Sequence, residues 1–124
     1  MPYKIDWERA GVYRHYYGDV TVAERRASLV AISADHRFDD LRYALTNYLD
    51  VQAYETSPAT TAEIAALHIG PMFTNPQLMI VAVAQRPDIL AAIADFQRLG
   101  FIKAPYRVFP TLPDARAWID GQLG

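Results

Sequence analysis

The residues able to carry chemistry are few, and their spacing argues against a preformed catalytic or metal centre. His15, His36 and His68 stand far apart, and none lies in a His-Glu-x-x-His or comparable pattern that would put two ligands on one helix face. Only tertiary contacts could assemble a histidine metal site, so neither a metal nor a cofactor is expected. The densest polar cluster is His36-Arg37-Phe38-Asp39-Asp40. A histidine three residues from a carboxylate can act as an oriented base, which makes His36 with Asp39 or Asp40 the one enzymatic candidate. The same run also reads as a turn, in which aspartate side chains bond nearby amides and Phe38 tucks underneath; turn chemistry favours that structural reading. No Gly-x-Gly-x-x-Gly, phosphate-cradling Gly-x-x-x-x-Gly-Lys-Ser/Thr or Gly-x-Ser-x-Gly motif occurs, so the common nucleotide and hydrolase chemistries lack support. With no catalytic residue to name, the chain reads as a non-enzyme. What remains is an excess of tyrosine, eight in all. Tyrosines on a sheet face can pack and still present a hydroxyl to a small molecule or a protein; Tyr43, Tyr48 and Tyr54 are the pocket candidates.

The elements that must position these side chains are legible from caps and periodicity. Tyr3 to Glu8 alternates apolar and polar, Arg9-Ala10-Gly11 offers a turn, and Val12 to Tyr17 resumes as an aromatic strand, which predicts an antiparallel hairpin. Thr21 with Glu24, Thr60 with Glu63 and Thr111 with Asp114 each place a hydroxyl three residues before an acid, so helices are expected to start at those threonines. A fourth should begin at Pro87 and end at Gly100. Ala62, Ala65, Ala66, Ile69 and Phe73 read as one core stripe, with Gly70-Pro71 kinking or ending that helix. Ile89, Ile93 and Phe96 form a second stripe, and Ala115, Trp118 and Ile119 a short third. Leu78 to Ala84 is apolar on both faces, the mark of a central strand covered by helices on both sides. Arg42 to Leu49 mixes aromatic and polar residues, as near an edge or beside a cleft, and Tyr106 to Phe109 is a last strand stopped by Pro110. The order predicts an α/β fold with a mixed sheet of about five strands, an antiparallel start, right-handed parallel crossovers and about four helices.

Composition bounds the partners. The chain has 124 residues, 52% hydrophobic and 21% charged, the range of one domain, 1–124, able to bury its own core. It has no cysteine, which removes disulfides, thiolate metal sites and cysteine nucleophiles together. A net charge of −2 with scattered basic residues offers no concentrated field for nucleic acid. No apolar run approaches the roughly 20 residues of a membrane span, and Met1-Pro2-Tyr3-Lys4 lacks a signal peptide's apolar stretch, so a cytoplasmic location is expected.

Several motifs carry a family resemblance. Gly18-Asp19-Val20-Thr21 after the hairpin, Phe38-Asp39-Asp40-Leu41-Arg42-Tyr43 leading to Leu49-Asp50-Val51, Asn75-Pro76 before the apolar strand, and Val108-Phe109 with Ala115-Arg116-Ala117-Trp118-Ile119 together resemble the SpoIIAA-like branch of the STAS superfamily over nearly the whole chain. The resemblance implies a right-handed β-α superhelix and a bacterial domain of a kind whose role is often unassigned. In anti-sigma factor antagonists of this superfamily, a serine in an Asp-Ser-Ser-Gly-Leu-Gly type loop at a helix start is phosphorylated by a partner kinase. The corresponding stretch here is Glu55-Thr56-Ser57-Pro58-Ala59-Thr60. Ser57 is the nearest match, although Thr56 replaces the aspartate and the glycines are missing; a phosphate there would meet the free amides and positive end of the helix. On the residues alone, Ser57-Pro58 makes a turn and Thr60 caps the helix.

Three readings follow. The first is a non-catalytic regulatory domain presenting Ser57 to Thr60 to a protein partner, with homodimerisation through an edge strand or helix face also plausible. The second is a module for a small apolar ligand, as in SEC14-like relatives of the architecture. The third is the enzyme centred on His36.

Overall fold

The computed structural model describes residues 2–124. A mixed five-stranded sheet carries the fold, built from β1 (Tyr3–Trp7), β2 (Gly11–Val20), β3 (Tyr43–Tyr54), β4 (Met79–Val83) and β5 (Tyr106–Phe109). Its spatial order equals the chain order, β1-β2-β3-β4-β5. The first pair is antiparallel and the rest are parallel, so each crossover advances the chain by one strand, as a β-α superhelix requires. The helices are α1 (Val22–Ser33), α2 (Pro58–Leu67), α3 (Ile69–Thr74), α4 (Pro87–Leu99) and α5 (Leu112–Leu123), with a short 3₁₀ turn over Phe38–Asp40.

The predicted hairpin, the order of elements along the chain and most helix starts are observed. Thr21 caps α1 in a complete capping box with Glu24, and Thr111 caps α5 by accepting from the Asp114 amide. Gly100 ends α4 at φ 69°, a left-handed conformation that costs glycine little. Two expectations fail. Thr60 does not cap α2: Ser57 does, its Oγ accepting from the Thr60 amide at 3.1 Å. Pro58 starts the helix because it has no N–H to satisfy and a backbone angle already helical. Ile69 and Phe73 do not belong to the core stripe either; they are 50% and 90% exposed. The break at His68 separates α2 from α3 and carries the second turn off the sheet, so the face α2 buries is Thr61, Ile64 and Ala65. Splitting that helix raises the count of α-helices among the described residues to five.

Side-chain parity divides the core. On one face Tyr43, Leu45, Met79, Val81 and Val83 pack under Ala115 and Ile119 of α5. On the other, Tyr16, Tyr48 and Ala82 pack against Ile89 and Ile93 of α4, while Val12, Phe38 and Leu78 close one end with Ile32 of α1. β4 is buried from both sides as its pattern predicts, and β3 is the middle strand, extended to Tyr54 by continued pairing with Val20. No helix among the described residues is long and apolar enough to cross a membrane.

Candidate functional site

The site is best built from β2 outward. Arg14 and Tyr16 point to the same face because they are two residues apart on a strand. There Arg14 donates from NH1 to Ser28 Oγ of α1 at 3.0 Å, and from Nε and NH2 to Thr46 Oγ1 of β3 at 3.2 and 2.9 Å. Its guanidinium also lies 4.9 Å from the Tyr16 ring centre. Arg25, only 9% exposed, comes from α1, sits 4.4 Å from the Tyr54 ring centre and donates to the Glu55 carbonyl at 3.1 Å. Both cations line a cavity of about 60 Å³ together with Tyr48 and Tyr54 of β3, Thr61 of α2, His68 at the break between α2 and α3, Phe96 of α4 and Tyr106 of β5. His68, Phe96, Tyr54 and Tyr106 keep partial exposure, so the cavity reaches the surface on that side.

Electrostatics follow from burial and charge. His68 donates from Nδ1 to the Ile64 carbonyl at 2.8 Å, the bond that selects this tautomer. Burial, reinforced by the fields of Arg14 and Arg25 and opposed by that hydrogen bond, lowers its pKa to about 4, so the ring is neutral near pH 7. Burial also pushes the phenols of Tyr48, Tyr54 and Tyr106 upward, keeping them as O–H donors. Among the described residues no aspartate or glutamate lines the cavity. Glu55 turns its carboxylate to the Val22 amide at 2.7 Å and offers Arg25 its carbonyl.

Two of the three pocket tyrosines therefore meet. Tyr48 and Tyr54 share the cavity, their rings edge to face at 5.9 Å. Tyr43 lies on the opposite face, in the cluster under α5. Its hydroxyl donates to Glu8, which also accepts Arg116 NH1 and NH2 at 2.6 and 2.7 Å; burial, then this hydrogen bond, pushes Tyr43 up to about 12. This knot joins the hairpin to α5 and is structural.

The His36 cluster does not assemble. His36 is 90% exposed and approaches Asp35 at 3.5 Å, not Asp39 or Asp40, which are exposed on the 3₁₀ turn. Phe38 is buried beneath them, as the turn reading predicts. Sequence reasoning missed a different pair: His15 Nε2 lies 2.6 Å from Asp50 Oδ2. A register shift between His15 and Tyr17 in the β2–β3 ladder brings the two together, and no local spacing signals it. Ser57 and Thr60 share a 2.9 Å hydroxyl contact at the start of α2. Among the described residues no group of three histidine, aspartate or glutamate side chains could hold a metal.

The small apolar ligand fits this interior poorly. A cavity of about 60 Å³ is less than half of the roughly 150 Å³ in which a buried apolar cavity accepts benzene, and its walls carry two guanidinium groups.

An antiparallel hairpin leading into parallel β-α units, with the sheet in chain order and one closing helix on the opposite face, defines the STAS-type fold of SpoIIAA-like proteins. The solved structure described as the anti-sigma factor antagonist SpoIIAA in its unphosphorylated form superposes with a TM-score of 0.65, covering 96% of this chain and 98% of that one at 10% identity. No family model matches the sequence, and no curated protein matches it. The shared property is the fold.

Proposed function

We propose that this chain is a non-catalytic regulatory domain, a single unit acting in the cytoplasm, that binds a protein partner through the α2–α3 segment. The observation that carries the reading is Phe73, 90% exposed on α3 with Ile69 and Leu67 also exposed beside the helix break. Large apolar side chains clustered on a surface favour a partner over solvent. The likeness to a structure described as an anti-sigma factor antagonist supports a regulatory role carried by protein contacts. In this reading Ser57, exposed at the start of the same helical segment, is the side chain that a kinase modifies to change the contact, since its phosphate would sit against the N-terminal amides of α2.

The test is cross-linked capture from cell extract with wild type, Phe73→Asp and Ser57→Asp, each checked for folding by its melting curve. The reading expects a discrete partner with wild type, its loss with Phe73→Asp and an altered yield with Ser57→Asp. Equal capture by wild type and Phe73→Asp would remove α3 from the interface and the reading with it.

A further inference from the structure

We propose that the internal cavity is a binding site for a small oxyanion, a phosphate or short carboxylate group held between the guanidinium groups of Arg14 and Arg25. The two cations come from different elements, β2 and α1, into one space of about 60 Å³, room for about two waters or one such group. A buried charge is costly unless an opposite charge faces it, and among the described residues no carboxylate lines the cavity. Among the described residues Arg14 donates to the hydroxyls of Ser28 and Thr46 and Arg25 to the Glu55 carbonyl, and both lie over tyrosine rings. Each guanidinium has five N–H donors; three of Arg14's and one of Arg25's have partners among the described residues. The planar forks left over match the paired oxygens of a carboxylate or phosphate.

The remaining walls point the same way. Tyr48, Tyr54 and Tyr106 retain their hydroxyl protons and can donate to an anion, and among the described residues no carboxylate lines the cavity to repel it. The partial exposure of Tyr106 and His68 marks the side of entry. This site is separate from the partner surface on α3, so Phe73→Asp leaves it intact.

The experiment measures heats of binding and melting midpoints with inorganic phosphate and with acetate, against potassium chloride of equal ionic strength. Wild type should bind at least one of the two anions saturably, with the tighter one naming the ligand chemistry. Arg14→Met and Arg25→Met should each weaken binding about 30-fold or more, whereas Arg37→Met, a surface cation, leaves it unchanged. Absence of saturable binding of both anions to wild type, or binding that survives both cavity substitutions, overturns the proposal. If either variant fails to fold, the wild-type His68 ring resonances decide. An anion in the cavity shifts them and raises the imidazole pKa by offsetting the two guanidinium fields; unmoved signals at saturating anion overturn the site.

Discussion

Replacing Gly11 with alanine should destabilise the fold well beyond an ordinary surface change. A Cβ at Gly11 would stand 2.3 to 2.4 Å from three atoms of the Tyr43 ring, whereas carbon atoms in contact prefer roughly 3.5–4.0 Å. The ring must therefore retreat by more than about 1 Å. It cannot do so freely, because Leu45, Met79 and Ile119 pack in the same cluster and the hydroxyl is held by Glu8. Overpacking costs about 1–3 kcal/mol, and breaking a hydrogen bond to a charged group adds about 1.5–3 kcal/mol. Alanine offsets about 0.4–1 kcal/mol by restricting the unfolded chain. The net expectation is about 3 kcal/mol, which for a domain of this size lowers Tm by roughly 10 °C. Urea unfolding of wild type, Gly11→Ala, Tyr43→Leu and the double variant measures it. In the Tyr43→Leu background, where the offending ring atoms are gone, the glycine change should cost less than about 1 kcal/mol. A loss under about 0.5 kcal/mol in the Tyr43 background, or equal losses in both, would refute the steric argument.

Three further outcomes are expected. The Arg116 hydrogen bonds lower the Glu8 pKa despite the opposing effect of burial; the pair therefore stabilises the fold above the ordinary glutamate range, and its contribution fades as pH falls through the lowered value. With both side chains partly exposed, a double-mutant cycle of Glu8→Gln and Arg116→Met should show coupling of about 1 kcal/mol at pH 7, shrinking towards pH 3. His68 acts with a different sign of charge: its folded pKa of about 4 lies below the unfolded value near 6.5, so the unfolded state takes up the proton first and stability rises with pH between those values. His68→Gln should flatten that slope in urea titrations, and an unchanged slope would mean that the imidazole is not buried neutral. Finally, Ser57→Ala should cost about 1 kcal/mol and Thr60→Ala clearly less, because Ser57 supplies the cap oxygen; thermal melts of the two variants distinguish them.

Much of the architecture was readable from local rules. Thr21 and Thr111 announce their helices, Gly100 ends another, and the two-sided apolar run before Gln85 could only be an interior strand. Each signal concerns groups within a few residues of one another, where backbone hydrogen bonding leaves few choices. Even the separation of Tyr43 from Tyr48 was available in strand parity. Where two local signals competed, as at Ser57-Pro58 and Thr60, the sequence did not say which would win, and the missing N–H of Pro58 decided for the earlier start.

The candidate site was not legible in this way. His15 meets Asp50 only because the ladder between β2 and β3 slips by a residue, and Arg14 shares a cavity with Arg25 only because α1 folds back over β2 and β3. As letters in the sequence these arginines are two among scattered surface charges. The chain order determined the elements, their caps and the faces they bury, because those depend on neighbours in sequence. The tertiary structure alone decided that two cations would be enclosed among tyrosines without a carboxylate, because burial and the field at a side chain are set by whatever the distant chain brings to it.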